Sequence, residues 1–368
     1  MAESRGKIMR LLILTQKVDR NDDVLGFMHG WVEEFAKHCE KLTVICLQEG
    51  ERHLPENVKI LSLGKKNQKL LNCYIVKLLY CYRFYKYIWQ ERKNYDSVFV
   101  HMNPEYVVVG GWLWRLWGKK TALWYTHRLV DLKLRISEKL VNNIITVSPE
   151  GFGLNSNKIK IFGHGIDVEK FKVKSLKFKV NGDLYNIIYV GRISKIKNQE
   201  MLIKAADILL KRNFKKFLIK FIGGAVTPDD KAYLAKLKEL SNNLNLSKYI
   251  IFMDKVSYNS IVKYYKTADV NINLCPTGGL DKAVLEAMAM GIPVLATNTG
   301  FIKEFGRYAD DLLVKENDAT DLTDRLEALA IKAPEYLKEM GGYLRRQVVG
   351  HHNLNNLIKS IADVIKKY

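Results

Sequence analysis

Short apolar runs alternate with amphipathic stretches along the whole chain. Residues 9–15, 42–47, 96–102, 121–126, 144–147 and 159–162 are compact apolar segments bounded by polar or turn-forming residues. Such segments read as buried strands. Residues 27–38, 106–117 and 133–140 carry apolar positions at three- and four-residue spacing and read as helices between them. The second half repeats the pattern. Strands are expected over 185–190, 218–222, 249–253, 270–274, 294–297 and 311–314, and helices over 199–212, 228–243, 257–267, 283–289, 321–330, 334–349 and 354–367. Strand following helix throughout predicts an α/β chain with parallel sheets. At 368 residues the chain divides most naturally into two domains. The lysine-rich, irregular stretch 170–182 places the boundary at 172/173.

One helix departs from this scheme. Across 64–95, Lys65, Lys66, Lys69, Lys77, Arg83, Lys86, Arg92 and Lys93 interleave with leucines, tyrosines and Trp89. The apolar residues recur at helical spacing, giving a basic, aromatic, amphipathic helix. Such a face suits an anionic bilayer surface. It equally suits a core contact with a solvated basic side. Trp112, Trp114 and Trp117 admit the same two roles.

Charge sharpens this picture. The chain has 59 basic and 39 acidic residues, a formal net charge of +20. That surplus favours anionic partners: nucleotide phosphates, nucleic acid or an acidic membrane. Nucleic acid is disfavoured, since the chain has no zinc-finger, KH or RRM signature. No run approaches the length of a membrane-spanning helix, and the first residues lack a signal-peptide core. The five cysteines, Cys39, Cys46, Cys73, Cys81 and Cys275, form no CxxC pair. The expected setting is the cytoplasm, with peripheral attachment to the inner face of the cell membrane as the alternative to a freely soluble state. No metal site is expected.

Two motifs carry candidate chemistry. The first is Gly191-Arg192-x4-Lys197, directly after the strand 185–190. Arg192 can fork onto phosphate oxygens and Lys197 can supply a point charge. The second is the turn Thr277-Gly278-Gly279-Leu280-Asp281 before the helix that carries Glu286. A glycine turn feeding a helix aims backbone N–H groups and a positive dipole end at one spot, which suits a phosphate. Both motifs follow strands of the same expected sheet. Together they describe a pyrophosphate site, with Glu286 placed to reach a ribose. In the first half, His127 follows the strand 121–126, a position where parallel sheets face ligands. Taken alone it also reads as a structural histidine. Gly26 starts the first helix, and no GxGxxG follows the first strand, which disfavours a dinucleotide oxidoreductase.

The motifs Val190-Gly-Arg-x4-Lys197-Asn and Leu285-Glu286-Ala-Met-Ala-x-Gly-x-Pro-Val-Leu-Ala-Thr resemble family-4 glycosyltransferases of the GT-B fold. Ile145-Thr-Val-Ser148 and Gly163-x-Gly-Ile-Asp167-x3-Phe171 add to the similarity. The resemblance implies two Rossmann-like domains with parallel sheets facing across a cleft. It implies an acceptor domain over 1–172, a donor domain over 173–351, and a last helix, 352–368, packing back on the first. It implies that Gly191, Arg192, Lys197 and the backbone of Thr277, Gly278, Gly279 and Leu280 bind a nucleotide-sugar diphosphate. Glu286 would bind the ribose, the strand and turn through Lys255 and Val256 would touch the base, and His127 would contact the donor sugar or place the acceptor. Gly26 would lie by acceptor and donor phosphate. The family carries a glutamate where this chain has Gly278, and Asp281 is the candidate replacement.

The implied activity is retaining transfer of a hexose from a nucleoside-diphosphate sugar to a hydroxyl of a glycan or lipid-linked acceptor. This is the chemistry of surface polysaccharide or glycolipid synthesis. The donor is a substrate, GDP- or UDP-linked without distinction, and no cofactor is called for. Two alternatives stand beside this: a non-catalytic nucleotide-sugar-binding protein and a nucleotide-sugar 2-epimerase.

Overall fold

The computed structural model describes residues 9–65, 73–149, 151–172 and 184–366. Lys66, Lys69 and the boundary expected at 172/173 touch or lie outside these residues. The chain forms two compact units, one of Met1–Gly165 with Leu354–Tyr368, the other of Ile166–Asn353.

The first unit runs β1 (Met9–Val18), α1 (Phe27–Lys37), β2 (Cys39–Glu49), β3 (Val58–Ser62), α2 (Cys73–Gln90), β4 (Ser97–His101), α3 (Pro104–Leu116), β5 (Lys120–Trp124), α4 (Leu132–Leu140), β6 (Asn143–Thr146) and β7 (Ile159–Ile161). All seven strands pair in parallel in the order β3-β2-β1-β4-β5-β6-β7. β1 is central, and its residues Leu11 to Leu14 are fully buried. A strand covered on both faces needs a continuous apolar run, which is why this one was legible in the sequence. β3 was not expected. It is a short edge strand, VKILS, in which no residue is fully buried, so its apolar positions do not form the unbroken run of a central strand. The strand order reverses between β1 and β4, the position where open α/β sheets hold ligands at their carboxyl ends.

α2 has two sides. Phe84 and Ile88 are buried in the first unit's core, while Ile75, Leu78, Leu79, Tyr82 and Trp89 are exposed. The helix thus makes a core contact and also presents an apolar outer stripe. The same holds for the tryptophans of the next helix and its exit: Trp114 is fully buried and Trp112 is 52% exposed. Among the described residues no helix is long and apolar enough to cross a membrane.

The second unit runs β8 (Tyr185–Val190), α5 (Gln199–Lys211), β9 (Phe217–Ile222), α6 (Pro228–Asn243), β10 (Ile250–Met253), α7 (Ile261–Tyr265), β11 (Val270–Asn273), α8 (Lys282–Ala289), β12 (Val294–Ala296), α9 (Ile302–Phe305), α10 (Ala309–Leu312), α11 (Ala319–Ala330) and α12 (Pro334–His351). Its five parallel strands are ordered β10-β9-β8-β11-β12. The order reverses between β8 and β11. Phe171 is fully buried here against Tyr258 and Tyr265, so the linker motif packs as part of this unit. The last helix, α13 (Leu354–Ile365), belongs to the first unit and lies against α1 and β4.

The strand expected over 311–314 is a correction. The segment is the short helix α10 followed by a single bridge from Leu313 to Ala296. Asp310 and Asp311 occupy the helix's first turn, where acidic groups suit the dipole, and Asp311 accepts a hydrogen bond from Tyr336. Too few apolar residues remain to build a strand.

Candidate functional site

The sequence motifs converge on the carboxyl ends of β8 and β11, the two strands that flank the reversal in the second sheet. β8 ends at Val190, and Gly191 follows with φ 151°. Its neighbour at the end of β9, Gly223, has φ 145°, and a Cβ there would stand 2.2 Å from the Gly191 carbonyl oxygen. The two strand exits therefore cross at backbone contact, which only glycine permits. Gln199 Nε2 donates to the Arg192 carbonyl at 3.0 Å and fixes the loop. The Arg192 side chain remains half exposed, with Nε 3.9 Å from Asp230 Oδ2.

Lys197 lies in a 3-10 turn over Lys195–Lys197. Tyr189, fully buried on β8, donates its hydroxyl to the Lys197 carbonyl and accepts from the Leu274 N–H at 3.1 Å. This one side chain joins the two motif-bearing loops. The Lys197 ammonium forms an ion pair with Asp281 Oδ2, which also accepts from Asn273 Nδ2 at 2.9 Å. Asp281 sits at the N-cap of α8, yet its side chain makes no capping bond and turns to Lys197 instead. Burial works against the charge on Lys197. The Asp281 carboxylate outweighs it and holds the ammonium above the usual lysine range. The Cys275 thiol lies 3.9 Å from the same carboxylate, and burial pushes it up.

The glycine turn is held by side chains that sequence reading missed. Thr277 donates its N–H to Glu316 Oε1 at 3.1 Å, and Gly278 donates to Asn298 Oδ1 at 3.4 Å. Asn298 is buried and donates in turn to the Gly279 carbonyl at 3.1 Å. Neither residue carries a local signal, because the contacts span 39 and 20 residues. A Cβ on Gly278 would meet only the Pro276 carbonyl at 3.8 Å, so a side chain fits there. Leu280 is buried at the start of α8. A cavity of about 260 Å³ opens beside the turn, lined by Lys195, Leu274, Pro276, Thr297, Glu316 and Asn317 among others.

Glu286, in α8, is buried. Burial pushes its carboxyl up to about 7, against the pull of Lys282 and a hydrogen bond from Tyr265. Tyr265 Oη lies 3.2 Å from Glu286 Oε2 and 3.1 Å from the Ala283 carbonyl, and its single proton is shared between these two acceptors. Burial correspondingly pushes Lys282 down to about 7. A buried acceptor held by a tyrosine is suited to bind a diol. On the β10 side, Lys255 is exposed, with its chain running over Gly224, and Val256 is half-buried beside it.

The structure thus joins Lys197, Asp281 and Asn273 in one hydrogen-bonded cluster, with Gly191 packed beside the Lys197 side chain, the 277–280 turn next to it, and Arg192, Lys255 and Glu286 on adjoining elements of the same unit. His127 and Gly26 belong to the first unit. His127 is exposed after β5, its ring 5.7 Å from Tyr125. Gly26 is buried and N-caps α1 with φ −57°, a conformation open to any residue. Among the described residues no group of three His, Cys, Asp or Glu side chains could hold a metal ion.

Residues 171–347, nearly all of the second unit, match the family described as glycosyl transferases group 1. The chain is 27% identical over 185 residues to a D-inositol 3-phosphate glycosyltransferase of Paenarthrobacter aurescens, covering 48% of this chain and 44% of that protein. It is 29% identical over 231 residues to the capsular polysaccharide biosynthesis glycosyltransferase CapM of Staphylococcus aureus, covering 59% and 56%. The chain therefore spans about half the length of the curated relatives it matches. Anabaena Alr3699/HepE, solved with UDP and glucose, superimposes with a TM-score of 0.75 over 98% of this chain and 100% of that one, at 14% identity. The likeness establishes the GT-B fold, with its two parallel-sheet units.

Proposed function

We propose that the protein is a retaining glycosyltransferase that moves a hexose from a nucleoside-diphosphate sugar to a hydroxyl of a glycan or lipid-linked acceptor. The observation that carries this reading is the placement of Arg192, Lys197 and the 277–281 turn on β8 and β11, at the reversal of one sheet. Two cations and a helix N-terminus can bind a diphosphate. Glu286 accepts from the ribose hydroxyls. Relatives named for inositol-phosphate and capsular-polysaccharide transfer support the reaction class, and a fold relative solved with UDP supports a nucleotide donor.

The chemistry follows from that placement. The acceptor oxygen bonds to the sugar's anomeric carbon as the bond from that carbon to the diphosphate oxygen breaks. Attack on the face from which the diphosphate leaves retains configuration. The acceptor's proton passes to a phosphate oxygen of the leaving group. Arg192, Lys197 and the turn stabilise the charge that develops on the diphosphate, which is electrostatic catalysis by preorganised groups. In the free protein Asp281 neutralises Lys197, so donor binding displaces or shares that carboxylate. Asp281 is then positioned to accept from a sugar hydroxyl in place of the glutamate absent at Gly278.

The lipid-linked acceptor gains support from α2. Its exposed Ile75, Leu78, Leu79, Tyr82 and Trp89 stand among Lys77, Lys86, Arg92 and Lys93, and the helix has no acidic residue. Apolar side chains flanked by cations favour an anionic bilayer surface. Replacing Leu78 and Tyr82 with Gln should weaken binding to anionic liposomes; unchanged binding would remove α2 from the membrane contact.

Gly278 favours one second reading, a sugar-nucleotide-binding protein without turnover. The deciding experiment offers radiolabelled GDP-, UDP- and dTDP-hexoses with lipid and glycan acceptors. Transfer from one donor supports the enzyme. Tight donor binding with no product on any acceptor, together with turnover gained by Gly278→Glu, supports the second reading.

A further inference from the structure

Tyr189 stands near the carboxyl end of β8, just before Val190 and the Gly191 turn. It is in register with Phe221 of β9, and Phe221 with Phe252 of β10. Its ring lies 5.9 Å from that of Phe221, which stacks on Phe252 at 5.2 Å. This aromatic row keeps the Tyr189 ring fully buried and fixes the direction of its hydroxyl. Burial also pushes the phenol well above its ordinary range, so it stays neutral and able to donate.

A buried hydroxyl needs hydrogen-bond partners wherever it sits. Core satisfaction alone would explain the bonds if the partners were arbitrary. Here both are backbone groups of the two motif-bearing loops. Tyr189 Oη donates to the Lys197 carbonyl, 8 residues on, and accepts from the Leu274 N–H at 3.1 Å, 85 residues on. Leu274 ends the β11 segment that leads into the 277–281 turn. The ion pair between Lys197 and Asp281 joins the same loops, but through side chains. A diphosphate competes with Asp281 for the Lys197 ammonium. It does not compete for either Tyr189 bond. The main-chain link therefore holds while Lys197 changes partner. A lysine side chain is flexible, so its ammonium is placed by what fixes its backbone. Stabilising charge that develops during a reaction requires a cation already in place.

We propose that Tyr189 is a positioning residue for the transfer reaction: its hydroxyl pins the Lys197 loop to the β11 exit, so that the ammonium stays on the diphosphate as it becomes the leaving group. The inference rests on the transferase reading given above. Tyr189 itself touches no part of the donor; its effect runs through Lys197. The donor's esterified diphosphate carries less charge than the departing one. The effect therefore falls on kcat more than on the donor KM.

The test is a double-mutant cycle on the full chain: the unaltered protein, Tyr189→Phe, Lys197→Ala and the two combined. Phe keeps the ring and its aromatic row and removes the hydroxyl. Transfer is measured with the hexose donor and acceptor that give product, beside calorimetric titration of inorganic pyrophosphate and a thermal melt. Tyr189→Phe should lower kcat by about tenfold and change the donor KM by less than about twofold. In the Lys197→Ala background it should change kcat by less than about twofold, because the cation that it positions is gone. The melt should fall by the same amount in both backgrounds, so a stability effect alone cannot produce the coupling. An unchanged kcat in Tyr189→Phe, or a loss of equal size in both backgrounds, overturns the proposal and leaves the hydroxyl as core satisfaction. If the unaltered protein transfers nothing, the transferase reading fails separately, and pyrophosphate decides on Tyr189. It carries the higher charge of a departing diphosphate. Several-fold weaker binding in Tyr189→Phe, absent in the Lys197→Ala background, supports the pinning. No binding, or equal affinity with and without the hydroxyl, overturns it.

Discussion

The two units repeat one scheme of strand, loop and helix, yet they hold their candidate residues differently. In the second unit nearly every candidate side chain has a built partner: Lys197 has Asp281, Glu286 has Tyr265, and the glycine turn has Asn298 and Glu316. In the first, His127 is exposed and Gly26 only begins a helix. The second unit is a preorganised charge site, in which geometry exists before any ligand arrives. The first presents an open surface, with an apolar stripe on α2. A site that must stabilise developing charge gains from fixed dipoles.

The sharpest way to break this comparison is to remove the fixed charges. Arg192→Ala and Lys197→Ala should each lower transfer by about 10²–10³ while leaving the melt intact. Equal activity in either would mean that the β8 loop does not bear the leaving group. His127→Ala probes the other side. It should slow transfer by about 10² through a misplaced acceptor, yet leave donor affinity unchanged. A loss of donor affinity of the same size would place His127 on the donor instead.

Smaller effects sharpen the picture of Glu286. Tyr265→Phe removes the hydrogen bond to its carboxylate, worth about 1 kcal/mol, and should raise the donor KM by about fivefold with kcat nearly unchanged. The smallest effect is on pH. Burial holds the Glu286 carboxyl up at about 7. It is therefore neutral below that value and ionised above it, so the donor KM should fall as pH rises through about 7. The neighbouring Lys282 titrates in the same range and loses charge as Glu286 gains it. Glu286→Gln should flatten the carboxylate's part of the profile, which a KM-against-pH series would detect.

Much of the fold was legible because buried parallel strands need unbroken apolar runs, as in Leu11 to Leu14. β3 escaped notice because an edge strand needs only half that signal. The strand expected over 311–314 failed because Asp310 and Asp311 favoured a helical turn. The charged and glycine-bearing parts of the site were visible as motifs. Their supports, Asn273, Asn298, Tyr265 and Glu316, were not, since each reaches its partner through tertiary contact alone.

The central claim is that the second unit, and not the first, holds the sugar-nucleotide donor. Calorimetric binding of UDP- and GDP-sugars to the unaltered protein, Glu286→Ala and His127→Ala tests it most directly. The account predicts one saturable site, lost or weakened at least about tenfold in Glu286→Ala and preserved in His127→Ala. Undiminished binding in Glu286→Ala, or binding lost only in His127→Ala, would contradict it.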